Sequence, residues 1–151
     1  MKLEEKNKAI IQRMHQAMER DGILAQLEFW AEESLNHGHP STREMVRAVL
    51  EDIVTTFPDV RLSPITLVAE GEWVVGRYEF SGTHKGIGRR PFVHEGLLTG
   101  VAPTGRCFNV RHIHMFRLED GQVVEHWANR DDVGMARQLG LLPEAAMPAS
   151  K

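Results

Sequence analysis

The chain has 151 residues and a mass of 17.1 kDa, which is the size of one domain with room for a sizeable apolar core. Its formal net charge of -3, with both signs interspersed, gives no reason to expect nucleic acid or an anionic membrane surface as a partner. A single cysteine excludes an intramolecular disulfide, the N-terminus lacks a secretory signal, and no apolar run reaches membrane-spanning length, so we expect a cytoplasmic protein.

The first third of the chain predicts helices. Apolar residues at helical spacing predict one helix from about Leu3 to Arg20 and a second, short helix from Ile23 to Ala31, with a break at Asp21-Gly22. The run Ser41-Thr42-Arg43-Glu44 is a capping-box sequence and predicts the start of a third helix. Pro58 ends that helix, because proline cannot continue it.

The rest of the chain predicts mainly strands. Four segments have strand character, and the last two are joined by Asp120-Gly121, a strong hairpin signal: Arg61 to Glu70, Glu72 to Thr83, Thr99 to Leu118 and Gln122 to Asn129. A short helix from Asp132 to Leu139 closes the fold, and we expect the tail 144–151 to be frayed. Helices first and strands afterwards predict the α+β class, as a single domain over residues 1–151.

The last pair of strands carries most of the plausible chemistry. Alternation places one set of side chains of the first strand on a common face: Phe108, Val110, His112, His114, Phe116 and Leu118. Two imidazoles on an otherwise apolar face predict a pocket. The return strand has Glu125, Trp127, Asn129 and Asp131 on one parity, which predicts an aromatic wall with an amide and two carboxylates.

Six short runs, in the same order, resemble the SnoaL-like polyketide cyclase family of the nuclear transport factor 2-like superfamily. They are Phe57-Pro58-Asp59-Val60, Leu67-Val68-Ala69-Glu70-Gly71, Ser81-Gly82-Thr83-His84-Lys85-Gly86, Pro103-Thr104-Gly105-Arg106, Phe116-Arg117-Leu118-Glu119-Asp120-Gly121, and Glu125-His126-Trp127 followed by Asp131. The resemblance extends from about Asn7 to Gly140. It implies a cone-shaped α+β barrel, in which N-terminal helices pack on a strongly curved mixed sheet and enclose a cavity. It also implies a homodimer formed through the open sheet face.

The resemblance implicates Asp131, four positions after Trp127, as the general acid/base. The alternative is that Asp131 or Asp132 caps the closing helix, a position that favours aspartate, and the adjacent aspartates could take either role. His112 and His114 are the next candidates, as a general acid or an oxyanion donor. Their alternative role is structural, as core histidines paired to the backbone or to a carboxylate.

Five further residues are candidates for binding a hydrophobic substrate, with core packing as the alternative for the aromatic ones. Trp127 could form a stacking wall, Asn129 could polarise a carbonyl group, and Trp30 lies near the proposed mouth of the cavity. Phe116 and Tyr78 have the parity of pocket-lining residues.

We predict neither a metal nor an organic cofactor. The spacing His112-Ile113-His114 with Glu119 is similar to that of cupin metal sites, but Glu119 falls in the turn, out of phase with the histidines. The sequence contains no phosphate-binding glycine loop, no Cys-x-x-Cys and no Gly-x-Ser-x-Gly elbow.

The leading hypothesis, implied by the resemblance, is a cofactor-independent cyclase that closes a ring by acid/base-catalysed intramolecular aldol chemistry on a hydrophobic carbonyl compound. An isomerase or epoxide hydrolase is an alternative, although the hydrolase favours an Asp-Arg-Asp arrangement and no arginine shares the inward parity near Asp131. A second alternative is a non-catalytic small-molecule-binding or dimeric interaction module of the same fold.

Overall fold

The computed structural model describes residues 1–91 and 93–143. The helices of this part are α1 (Leu3–Asp21), α2 (Arg43–Thr56) and α3 (Asp132–Gln138), with 3-10 helices at Ile23–Phe29 and Val93–Gly96. The strands are β1 (Trp30–Asn36), β2 (His39–Thr42), β3 (Arg61–Glu70), β4 (Trp73–Thr83), β5 (Cys107–Glu119) and β6 (Gln122–Arg130). None of the described helices is long and apolar enough to cross a membrane.

The strands form one six-stranded sheet in the order β2-β1-β6-β5-β4-β3. Neighbouring strands are antiparallel except β1 and β6, which are parallel, so the sheet is mixed. Helix α1 packs on β3 and β4, and α2 packs on β1 and β2. We call the side of the sheet that the helices cover the inner face and the opposite side the outer face. The predicted α+β architecture, with N-terminal helices on a curved mixed sheet, is confirmed, and the sheet is open because β2 and β3 are its edges.

Two apolar clusters form the core, one toward each end of the inner face. Alternation along β5 shows how they are placed: Phe108 and Val110 belong to one cluster, and Phe116 and Leu118 belong to the other. His112 and His114 occupy the two inner-face positions between them (112 and 114). The fold therefore surrounds the two histidines with packed apolar side chains on both sides along the strand.

The β1–β2 hairpin was not predicted. The 3-10 helix ends at Phe29, two residues before the predicted end, and Trp30 already starts β1. His37 and Gly38 form the turn with φ of 51° and 78°, as a type I′ hairpin requires. The sequence of β1, Trp30–Asn36, has little intrinsic strand preference, and the strand forms because it pairs with both β2 and β6.

Helix α2 begins one residue later than the capping-box pattern indicates. Thr42 is the N-cap, and its Oγ1 atom accepts a hydrogen bond from the backbone N–H of Met45 at 3.1 Å. Ser41 lies in β2 and pairs with Ser34 of β1. The arginine that follows the cap also ties the helix to the sheet, because Arg43 donates two hydrogen bonds to the carbonyl of Trp30, at 2.6 and 3.0 Å.

The connection between β4 and β5 lies over one end of the inner face. Strand β5 begins at Cys107, not at Thr99 as predicted, and the preceding segment contains the 3-10 helix Val93–Gly96. Asp52 of α2 anchors this segment by accepting a hydrogen bond from the backbone N–H of Arg89 at 2.9 Å. His94 and its neighbour Val93 are buried there.

Candidate active site

A β-bulge decides which side chains of β6 face the helices. Leu118 pairs with Val123, but the preceding residue of β5, Arg117, pairs with Glu125. Val124 is therefore an extra residue in β6. Because side chains alternate along a strand, one extra residue exchanges the inner and outer sets for the rest of that strand.

Beyond the bulge, His126, Ala128 and Arg130 share the inner face with the histidines of β5. Trp127 and Asn129 lie opposite exposed apolar residues of β5 on the outer face, so their predicted place in the pocket was wrong. The indole of Trp127 donates a hydrogen bond to Oε2 of Glu125 at 2.8 Å. Glu125 also lies on the outer face, outside the pocket.

Asp131 was also predicted to face the pocket, and that placement was wrong. Its side chain is exposed and caps α3, where Oδ1 accepts a hydrogen bond from the backbone N–H of Gly134 at 2.8 Å. Of the two arrangements open to the adjacent aspartates, the structure has the one in which Asp132 turns inward. Oδ1 of Asp132 lies 3.3 Å from Nδ1 of His94, and Oδ2 accepts a hydrogen bond from Nη2 of Arg130 at 3.2 Å.

Asp132 is held as a carboxylate. Burial opposes the charged form, but the hydrogen bonds from His94 and Arg130 outweigh it and lower the pKa of Asp132 to about 2. The expectation that no arginine shares the inner face near this position was wrong, because Arg130 does. Among the described residues, Asp131 does not complete an Asp-Arg-Asp arrangement with Arg130 and Asp132, since its side chain caps α3.

The centre of the inner face is a chain of hydrogen-bonded imidazoles. Nδ1 of His112 lies 3.2 Å from Nε2 of His114, and Nδ1 of His114 lies 2.8 Å from Nε2 of His126. Nδ1 of His126 lies 3.0 Å from Oδ1 of Asn36, the last residue of β1. We call the three histidines the imidazole chain. Its free end is Nε2 of His112, which is buried and has no hydrogen-bond partner among the side chains that the structure describes.

The imidazole chain is uncharged at neutral pH. Burial lowers the pKa of His112 to about 3, and the neighbouring His94 lowers it further than burial alone would. Burial and then His37 lower the pKa of His126 to about 3. Burial, and after it the positive charges that His126 and His112 would carry, hold the pKa of His114 well below the usual value. Each ring therefore carries one proton and one lone pair.

Aromatic side chains surround the imidazole chain. The ring centroid of Phe80 lies 4.4 Å from that of His112, and Phe116 stacks on His114 at 6.1 Å. Trp30 lies 5.6 Å from His126, and Tyr78 lies 5.2 Å from His114. The three predicted binding residues Trp30, Phe116 and Tyr78 are thus on the inner face, beside the predicted His112 and His114. The hydroxyl of Tyr78 forms a second buried polar contact, 2.8 Å from Nε2 of His15.

Several residues of this site were not predicted, namely His15, Asn36, His94 and His126. For His15 a signal exists, because it lies on the same helical stripe as Ile11 and Met18. For His126 the alternation of side chains along β6 predicts the outer face, because the sequence does not show the bulge at Val124 that turns His126 inward. Asn36 and His94 arrive from distant segments without a local pattern.

The spacing similar to cupin metal sites is not realised in three dimensions. Glu119 is exposed at the end of β5 and forms an ion pair with Arg117 at 2.6 Å, away from the histidines. In the part of the chain that the structure describes, no three histidine, cysteine or carboxylate side chains are grouped so that they could hold a metal ion.

Comparisons with known proteins identify the family of the chain. A family model described as SnoaL-like polyketide cyclase matches residues 8–139. Nogalonic acid methyl ester cyclase of Streptomyces nogalater is 30% identical over 108 residues, which cover 71% of this chain and 73% of that protein. The solved structure of TsrD from Streptomyces laurentii matches with a TM-score of 0.71 at 30% identity, over 89% of this chain and 97% of that chain. The structure of AclR, a candidate hydroxylase from Streptomyces galilaeus, matches with a TM-score of 0.74 at 25% identity, over 92% of this chain and 98% of that chain.

Proposed function

Because the chain belongs to the SnoaL-like polyketide cyclase family, we propose that it is a cyclase that closes a ring by acid/base chemistry with its own side chains and no cofactor. The proposed substrate is a hydrophobic polyketide with an activated carbonyl group. Support for this class comes from the relative named nogalonic acid methyl ester cyclase, which resembles most of the chain.

The observation that carries the proposal is the Nε2 atom of His112, a buried imidazole nitrogen without a partner in the described chain. In the proposed reaction this nitrogen removes the α-proton of the activated carbonyl compound, which leaves an enolate. The enolate carbon attacks a second carbonyl carbon of the same molecule, forms the new C–C bond and converts that carbonyl oxygen to an alkoxide. The imidazolium of His112 then returns its proton to the alkoxide, so every substrate atom remains in the product.

The low pKa of His112 has two opposing effects on this chemistry. A pKa of about 3 makes the ring a weak base toward a neutral molecule. However, the imidazolium and the enolate form together as an ion pair, and their attraction is strong in a buried site. The same low pKa keeps the ring in its basic form at any pH above about 3.

A substrate can reach His112 only when covering residues move, because this side chain is 3% exposed. A buried neighbour of His112 is His94 of the segment between β4 and β5, whose ring lies 5.8 Å from that of Phe80. In the proposal His114 orients the ring of His112 through their hydrogen bond. Phe116, Trp30 and Tyr78 supply the apolar surroundings.

The test is α-proton exchange in heavy water, followed by mass, with a panel of β-keto esters and hydroxy-anthraquinone ketones. We expect His112→Gln to slow exchange on the order of 100-fold or more, the usual contribution of a general base. Exchange by the wild-type protein should not decline between pH 8 and pH 5, because His112 stays unprotonated there.

Two variants make this test specific. His39→Gln is the matched control, since His39 is an exposed histidine of β2 outside the imidazole chain. Asp131→Asn separates the two possible bases: exchange lost in this variant and retained in His112→Gln would overturn the assignment of His112. Absence of exchange by the folded wild-type protein across the whole panel would favour a non-catalytic binding protein.

We also propose that the protein is a homodimer formed through the outer face of the sheet. Support comes from apolar side chains on three adjacent strands of this face, where the exposed Met115 of β5 lies between the half-buried Val75 of β4 and the exposed Trp127 of β6. Contiguous exposed apolar surface of this kind marks interaction sites.

A further inference from the structure

The hydrogen bonds of the imidazole chain have a direction. Oδ1 of Asn36 is an oxygen and can only accept, so Nδ1 of His126 must donate to it. A neutral imidazole has one N–H group, and Nε2 of His126 is therefore an acceptor for Nδ1–H of His114. By the same step, Nε2 of His114 accepts from Nδ1–H of His112. The end of the chain is then a lone pair on Nε2 of His112.

The position of Asn36 is fixed by the backbone. Asn36 pairs with His126 in the parallel ladder between β1 and β6. The next residue, His37, donates its backbone N–H to the carbonyl of His126 at 3.0 Å. The side-chain amide therefore meets the imidazole chain at a site that two strands hold in register.

We propose that Asn36 is a positioning residue, which fixes the tautomer of all three histidines and so leaves Nε2 of His112 as a proton acceptor. This inference rests on the proposed function for its catalytic consequence, because it explains how His112 comes to be a base. With the amide turned over, every hydrogen bond would reverse. Nε2 of His112 would then be a buried N–H without an acceptor, an arrangement that folded proteins rarely contain.

The test is to observe the tautomers directly. Multiple-bond ¹H–¹⁵N correlation spectra of the ¹⁵N-labelled protein at pH 7 distinguish Nδ1–H from Nε2–H in each histidine. We expect the Nδ1–H form in His112, His114 and His126, whereas the exposed His39 should show the Nε2–H form that free imidazole side chains prefer. The Nε2–H form in His112 and His114 of the wild-type protein would overturn the proposal.

Asn36→Leu removes the acceptor and keeps a side chain of similar size. We expect the Nδ1–H pattern to be lost in this variant and α-proton exchange to fall 10- to 100-fold, by analogy with the loss of the outer hydrogen-bond partner of a metal-bound histidine. The matched control is Asn129→Leu, the same change on the outer face of β6. An unchanged tautomer pattern in Asn36→Leu would contradict the proposal.

The two proposals fail in different ways. The tautomers are read without a substrate, so the expected pattern without any exchange would leave the role of Asn36 intact and remove the cyclase function. If exchange depends on His112 but the histidines have the opposite tautomers, the proposed function stands and the proposed role of Asn36 is wrong.

Discussion

Burial keeps four histidines of the candidate site uncharged in the folded protein, and this couples stability to pH. Burial lowers the pKa of His15 to about 4 and those of His112 and His126 to about 3, and the pKa of His114 is also well below the usual value. In the unfolded chain the same groups titrate near 6.5. Below that pH the unfolded state binds more protons than the folded state, so stability falls as the pH falls.

We therefore expect the free energy of unfolding to decrease steadily from pH 6.5 toward pH 4.5. Each buried histidine should contribute a loss of about 1 kcal/mol between pH 6.5 and pH 5.5. Carboxylates with lowered pKa values, such as Asp132 with a pKa of about 2, add to the loss only at lower pH. Urea unfolding at a series of pH values measures this dependence.

His15→Gln separates this effect from general acid sensitivity. The variant removes one titrating group and keeps a side chain that can hydrogen-bond to Tyr78, so the pH slope should decrease by about one proton. His39→Gln, at an exposed position, should leave the slope unchanged. Equal slopes in the two variants would show that His15 is not held neutral.

At the scale of single elements, the N-cap of α2 differs by one residue between the sequence pattern, which indicates Ser41, and the structure. The structure assigns the cap to Thr42, whose hydroxyl accepts the N–H of Met45, and leaves Ser41 in β2. We expect Thr42→Ala to destabilise the protein by about 1 kcal/mol, the typical cost of losing an N-cap.

Ser41→Ala is the matched comparison, since both variants remove one hydroxyl from adjacent residues. Its cost should be smaller, because Ser41 has no capping role in α2. Urea midpoints of the two variants measure the difference, and a larger loss in Ser41→Ala would move the cap by one residue.

The elements differ in how well the sequence predicts them, for physical reasons. Helix α1 and strand β4 have regular apolar periodicity, and β3 is bounded by the turn signal at Glu70-Gly71, so the predicted bounds of all three agree with the structure within a residue or two. Strand β1 was not predicted because its pairing partners, β2 and β6, determine its conformation more than its own residues do.

The same reasoning applies to the candidate site. His112 and His114 were placed correctly on the inner face because β5 alternates without interruption from Cys107 to Leu118. The inner residues of β6 were assigned incorrectly because the bulge at Val124 has no distinctive local sequence. Asn36 came from β1, whose existence was itself not predicted.

At the scale of the whole molecule, the outer face of the sheet should determine the oligomeric state. Ile113, Met115 and Trp127 are 47%, 37% and 39% exposed, and they lie together on β5 and β6. We expect light scattering to give the mass of a dimer and Met115→Glu to give that of a monomer, because a carboxylate at the centre of an apolar interface is costly.

Val133→Glu is the matched control for this variant. It places the same charge at an exposed apolar position of α3, an element that is not part of the sheet, and should leave the dimer intact. A monomer mass for the wild-type protein would contradict the proposed interface. Equal dissociation in both variants would show that added charge, and not its place on the sheet, separates the subunits.

The extra residue in β6 also has a consequence for the lining of the interior. Loss of the codon for Val124 would remove the bulge and leave Leu118 paired with Val123 and Arg117 with Glu125, so every later side chain of β6 would keep its face. A slip of the pairing that retained Val124 and placed it opposite Arg117 would instead turn these side chains over. The interior would then receive the indole of Trp127 and the amide of Asn129 in place of the imidazole of His126 and the guanidinium of Arg130, so the pairing of one residue decides the whole chemical lining that this strand contributes.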